Sequence, residues 1–173
     1  DKDSRLIGAG TAGTTLGKQP DGSILASGDN PQTDTYTITA KTDLTGITGI
    51  RLEALPDPSL PAGGSGRAIN GNFALNEFRV TVAPPGNGAA SVRVELGNPV
   101  ADFSQEGHGG WPVAAAIDGD PKTGWSVDPE EGARHVALFE TKTPFGFPNG
   151  TTLVFTLQHG ERQHTLGKLR LSV

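Results

Sequence analysis

Hydrophobic and polar residues alternate in short runs along this chain, and turn residues break the runs at close intervals. DTYTITAKT sets Tyr36, Ile38 and Ala40 against threonines. GITGIRLEAL places Ile50, Leu52 and Ala54 on one face and Arg51 and Glu53 on the other. SVRVEL sets Val92, Val94 and Leu96 against Ser91, Arg93 and Glu95. TLVFTLQ and KLRLSV repeat the pattern near the C-terminus, with HGERQ between them as a hairpin turn. A period of two is the mark of a half-buried strand, and long stretches of helical period are missing. With 25 glycines and 13 prolines as punctuation, the pattern predicts an all-β sandwich or barrel.

One run breaks its own rule. In FALNEFRVTV, Phe78, Val80 and Val82 share one parity, while Phe73 and Leu75 share the other. A slip of one residue swaps faces, and a β-bulge is its usual cause. A bulge at Asn76-Glu77 aims Glu77 where a regular strand would not; otherwise Glu77 faces water.

The chain reads as one domain over residues 21–173, with residues 1–20 a loosely ordered extension; no linker and no repeat divides it. PDPSLPAGGSGRAINGN (56–72) is a long loop, and a second loop near 98–115 carries His108 and Trp111. Long ordered loops on a β scaffold are common sites of binding.

Composition narrows the function. With 173 residues there is enough chain for one substantial core. The absence of methionine, even at position 1, reads as a processed chain or a piece of a longer one. No cysteine is present, which excludes disulfides, thiolate metal sites, cysteine nucleophiles and covalent haem attachment within this chain. A net charge of −5 without any basic stripe argues against nucleic acid, and no apolar run approaches a membrane span.

Most catalytic and cofactor motifs fail on context. GAGTAG fits G-x-G-x-x-G, but only seven residues precede it and TTLGKQPDGS after it is no helix. His159 and His164 lack a third ligand and read as exposed hairpin histidines. Asn149-Gly150-Thr151 matches a glycosylation acceptor and implies a surface turn. No G-x-S-x-G occurs, and no pair of acids is singled out for an apolar pocket. The expectation is a non-catalytic protein.

AIDGDPKTGW (116–125) is different. Asp118, Asp120 and Thr123 lie close together, Gly119 permits a sharp turn and Pro121 stiffens its far side. Such a loop either turns its oxygens toward a hard cation or is an Asp-Gly turn with solvated acids. Two carboxylates and a hydroxyl fall short of calcium's six to eight oxygens, so carbonyls and a distant carboxylate must complete a site, with Glu77 the candidate.

The run A-x-D-G-D-x-x-T-x-W resembles the signature loop of galactose-binding-like domains, a superfamily that includes discoidin-type and coagulation-factor C domains. The resemblance implies a jelly-roll β-sandwich with a structural calcium held by Asp118, Asp120, Thr123 and backbone carbonyls. It also implies that NEFRV is the strand whose glutamate, Glu77, completes the site, and that Trp125 is core. In that superfamily the loop precedes the glutamate strand; here Glu77 comes first, the order of a rearranged or permuted version. DGSILASG, RLEALPDPSLP, GRAINGNFALNEF, ADFSQ, AAAIDGDPKTGW and HTLGKLRLSV together look like a domain of large planctomycete-type secreted proteins that also carry c-type haem domains. That implies an extracytoplasmic parent protein, with neighbouring domains as partners and haem elsewhere in the parent chain.

Glycan sites combine an aromatic platform with planar polar side chains. Trp111, in glycine-rich GHGGWP, either stacks on a sugar or plugs the end of the sandwich. Arg67, Asn70 and Asn72 either stabilise the long loop, the commoner role, or offer hydrogen bonds to hydroxyls or acidic sugars. His108 and Arg134 are weaker candidates. The leading expectation is a carbohydrate-binding module for a polysaccharide or glycan; the alternative is a structural or protein-interaction domain with no sugar ligand.

Overall fold

A computed structural model describes residues 7–86 and 89–173. Eleven strands form two antiparallel sheets among the described residues. One sheet runs β1 (Ile7–Gly10), β4 (Asp34–Thr42), β10 (Thr151–His159), β6 (Glu77–Ala83) and β7 (Val92–Val94). The other runs β2 (Thr14–Lys18), β3 (Ile24–Gly28), β11 (Lys168–Ser172), β5 (Ile47–Ala54), β9 (His135–Phe145) and β8 (Leu96–Ala101).

Strand order identifies the architecture. Set aside β1, β2 and β8 and count the remaining eight along the chain. One sheet then reads first, eighth, third, sixth, and the other second, seventh, fourth, fifth. Successive strands cross from sheet to sheet, except the fourth and fifth, which pair, and this is the jelly-roll wind of a β-sandwich.

The alternating runs supply the layer between the sheets. Ile38 of β4, Val80 of β6 and Phe155 of β10 meet Ile50 and Leu52 of β5 and Phe139 of β9 in one buried cluster. Phe78 packs against Phe139 at 5.0 Å and against Phe155 at 6.3 Å between ring centres. Burial of each such side chain contributes roughly 1.5–3 kcal/mol, so this layer is the main stabilising contact between the sheets. Trp125 closes one end of it: wholly buried, edge-on to Phe73 at 5.1 Å, its indole N–H donating to the Phe103 carbonyl at 3.0 Å.

Several local expectations change. From residue 7 the expected loose extension is built into the sandwich, β1 pairing with β4 and β2 with β3. SVRVEL is not one strand: β7 and β8 belong to different sheets, and Val92 is exposed on an edge strand. HGERQ makes no hairpin, because β10 and β11 also lie in different sheets. No bulge underlies the parity slip at Asn76-Glu77. Leu75 pairs with Trp125, and the chain joins β10 in continuous register from Glu77 onward. The change of face is a change of pairing partner. The long loop 56–72 is largely folded in, with Gly66 bridged to Leu166. Gly66 is required there: a Cβ would stand 1.9 Å from the Asn72 carbonyl oxygen.

Candidate functional site

The loops entering β6 and β9 and leaving β8 and β10 gather at one end of the sandwich and enclose a pocket of about 340 Å³. The loop before β6 supplies Asn70, Asn72 and Ala74. The loop after β8 supplies Gln105, His108 and Trp111, the segment before β9 supplies Ser126 and Asp128, and the loop after β10 supplies Glu161 and His164. Four of the six expected ligand-binding residues therefore meet here: Trp111, Asn70, Asn72 and His108.

The floor is buried and satisfied. Asn72 Nδ2 donates to Gln105 Oε1 at 3.1 Å, Asn72 Oδ1 accepts from the Val127 N–H at 3.2 Å, and Ser126 Oγ donates to the Phe73 carbonyl at 2.6 Å. Buried amides so tied hold their orientation, which is what a recognition surface needs. Trp111 is half-buried at the wall. Its N–H donates to the Gln105 carbonyl at 2.8 Å and its carbonyl accepts from Ser126. The chain reaches this position through a tight coil in which His108, Gly109 and Gly110 all have positive φ (55°, 91° and 80°). Glycine adopts that conformation without strain, so Gly109 and Gly110 set where Trp111 emerges.

The rim carries negative charge. Asp128 and Glu161 line the pocket, and Asn70 Nδ2 donates to Glu131 Oε1 at 2.9 Å just behind it. Burial pushes the Glu131 carboxyl up, and the neighbouring Asp128 carboxyl pushes it further. His164, which lines the pocket, hydrogen-bonds through Nδ1 to the Arg162 carbonyl at 2.7 Å.

The remaining two candidates lie elsewhere. Arg67 is buried, and its guanidinium donates to the Gly28 and Asp29 carbonyls at 2.7 Å each and to Thr14 Oγ1 at 3.3 Å. It ties the long loop to the β2–β3 hairpin. Arg134 pairs with Glu53 Oε1 at 2.9 Å on the outer face of the six-stranded sheet. Arg51 and Arg170 converge on the same carboxylate, which is only 1% exposed. The hydrogen bond from Arg170, then the charges of all three arginines, hold Glu53 below its usual range against the effect of burial. His159, expected at the surface, is wholly buried against Tyr36, and burial pushes its pKa down to about 3.

Sequence reasoning missed Gln105, Ser126, Asp128 and Glu161 as pocket residues and set His164 aside. None stands in a recognisable spacing; topology brings them together. Gln105 had only the weak signal of closing ADFSQ, one of the runs that carry the second resemblance.

The Asp118 loop lies beside this end. Thr123 Oγ1 donates to Asp118 Oδ2 at 2.8 Å and to the Asp120 carbonyl at 3.1 Å, so three oxygens converge. The two carboxylates also hold the turn, Asp120 Oδ1 accepting from the Lys122 N–H at 3.0 Å and Asp118 Oδ1 from the Asp120 N–H at 2.8 Å. Asn76 Nδ2 holds the Pro121 and Thr123 carbonyls at 3.1 and 2.9 Å, while its Oδ1 accepts from the Gly160 N–H at 2.6 Å. Glu77 follows directly, 2% exposed, with Oε1 unpartnered and Oε2 3.4 Å from Arg79 Nε. Among the described residues no three Asp, Glu or His side chains gather as a metal site. Asp118, the Asp120 carbonyl and Thr123 offer oxygens of the kind a calcium-like ion takes, and Glu77 Oε1 is a buried carboxylate oxygen without a partner.

A second concavity of about 810 Å³ opens on the outer face of the six-stranded sheet. Leu44, Val100, Leu138 and Val173 line it, each between 41% and 61% exposed.

Fold and site define a jelly-roll β-sandwich with a polar pocket borne on loops. No family model matches the chain, and no curated protein matches it. Among solved structures it is similar to a carbohydrate-binding module, TmCBM61 in complex with β-1,4-galactotriose, at 8% identity over 97% of this chain and 88% of that one, with a TM-score of 0.24. A likeness at that score carries no argument, and the fold stands on the strand order above. No helix among the described residues is long and apolar enough to cross a membrane.

Proposed function

We propose that this domain is a non-catalytic glycan-binding module whose site is the loop-end pocket. The observation that supports the reading is the meeting of a half-buried indole with fixed amides and imidazoles in one pocket of about 340 Å³. An aromatic wall offers a sugar ring its apolar face, and planar amides pair with neighbouring hydroxyls. A structural calcium held by Asp118, the Asp120 carbonyl, Thr123 and Glu77 belongs to the same reading, as a brace for the loops rather than a ligand contact. Placement in an extracytoplasmic, haem-bearing parent protein rests on sequence resemblance alone.

The test is retardation of the purified domain in native gels cast with neutral, acidic and amino polysaccharides. Selective retardation by one polymer, lost in Trp111→Ala, is the expected result. No retardation across the panel overturns it.

The apolar groove favours a second reading, a structural or protein-interaction domain that packs on neighbours in the parent chain. Exposed apolar surface of this kind marks protein contacts. Leu138→Lys should then weaken association with the adjoining domain without altering gel retardation.

A further inference from the structure

We infer that the loop-end pocket selects glycans bearing positively charged amino groups, such as polymers of glucosamine, over neutral N-acetylated and uronate-bearing ones. The inference rests on the reading of the pocket as a glycan site and names its ligand class. Asp128 and Glu161 both line the pocket, and among the described residues no lysine or arginine does. Glu131 stands behind Asn70, one hydrogen bond from the lining, so a third carboxyl adds to the field. The two arginines that the sequence offered for acidic sugars are held elsewhere, Arg67 on backbone carbonyls and Arg134 on Glu53. Arg162 shares the loop of Glu161 but does not line the pocket.

A uronate placed here meets like charges on two sides, which disfavours it. An ammonium group is drawn by the carboxylates, and the face of Trp111 attracts it as well. Burial and the neighbouring Asp128 carboxyl push the Glu131 carboxyl up, and a cation beside the two relieves their repulsion. The lining histidines, His108 and His164, oppose a cation only when protonated, so the preference needs a pH at which imidazole is largely neutral. A sugar amine suits the site better than a lysine-rich peptide, because Asn72 and Gln105 present fixed planar amides that hydroxyls can pair with.

The experiment is calorimetric titration of the domain with four probes at a pH near 7, above the ordinary imidazole value of about 6.5 and below the roughly 7.7–8.0 of an α-amine. The probes are a glucosamine oligomer, the N-acetylglucosamine oligomer of equal length, an oligogalacturonate and an oligolysine. The glucosamine oligomer should bind about tenfold or more tightly than its N-acetylated twin, a difference of one charged group per ring. That margin should shrink in Glu161→Gln and, separately, in Asp128→Asn. Equal or tighter binding of the N-acetylated or uronate probe overturns the inference and leaves the glycan site standing. Equal binding of oligolysine also overturns it, since the acids then capture any cation. If no oligosaccharide binds, the inference falls together with the glycan reading.

Discussion

The two concavities of this molecule are built on opposite principles. The loop-end pocket is polar, negative and made of loop segments tied together by isolated backbone bridges and by the buried side chains of Asn72, Asn76 and Ser126. The groove on the six-stranded sheet is largely apolar, its side chains standing on β5, β8 and β9, whose inner faces form the core, and on the turn before β5. The first can be reshaped by exchanging loops but depends on buried polar groups being satisfied; the second is rigid and tolerant of change at its surface. If the contrast is real, substitutions that remove buried polar anchors should cost far more at the pocket end than apolar changes cost at the groove.

Asn76→Ala carries the largest expected effect. Asn76 is fully buried, and one side chain serves three backbone groups. At about 1 kcal/mol for each lost bond, and more where a group is left unpaired, the variant should lose about 3 kcal/mol in urea unfolding. Leu138→Asn at the groove should change stability by less than about 0.5 kcal/mol. A loss at Asn76 no greater than that at Leu138 would erase the distinction between the two regions.

Calcium sharpens the same contrast. Bound at about a hundredfold over its dissociation constant, it should add about 2.7 kcal/mol, read as a rise in melting temperature that a chelator reverses. Asp118→Ala should abolish the dependence and Asp57→Ala should leave it. No retained metal and no response to chelator would remove the ion from the account and leave Asn76 as the sole brace of those carbonyls.

His159 gives a pH signature to the pocket end. Its pKa is about 3 in the fold against an ordinary 6.5, because burial excludes the charged ring. Below pH 6.5 the unfolded chain takes up a proton that the folded one refuses. Stability is therefore fully present above that pH and lost as pH falls toward 3. The slope is about 1.4 kcal/mol per pH unit, so about 2 kcal/mol is gone by pH 5. In His159→Phe this part of the pH dependence should vanish. A wild-type protein with flat stability from pH 7 to pH 5 would show that the ring finds a charge partner in solution.

Strand faces were legible in the sequence because a sheet imposes a period of two. Ile50, Leu52 and Ala54 point inward as the alternation requires. The Asp118 loop and the core role of Trp125 were legible through a motif. What was not legible depends on contacts distant along the chain. Glu53 sits on the outward parity yet is buried, because three arginines from β5, β11 and the loop before β9 fold over it. His159 looked like a hairpin residue because nothing local reports that β10 and β11 belong to different sheets. The partners of Arg67 were not legible because Gly28 and Asp29 lie 39 and 38 residues away. The pocket acids carry no spacing signal, since Asp128 and Glu161 come from separate loops brought together by the jelly-roll wind.

The smallest expected change in stability belongs to Trp111→Ala, and its smallness is the point. The indole is half-buried at the pocket wall, while its backbone N–H and carbonyl, which any residue supplies, hold the loop. Removing the ring should therefore cost no more than about 1 kcal/mol, well below the 3–5 kcal/mol typical of a core tryptophan. Trp125→Ala is the internal comparison, since that ring is wholly buried and hydrogen-bonded to Phe103. If Trp111→Ala keeps its melting temperature and loses glycan retardation, the ring works outward as a recognition surface. If it destabilises the domain as Trp125→Ala does, the ring works inward as a plug for the end of the sandwich. The contrast between pocket and groove would then be one of packing rather than of ligand.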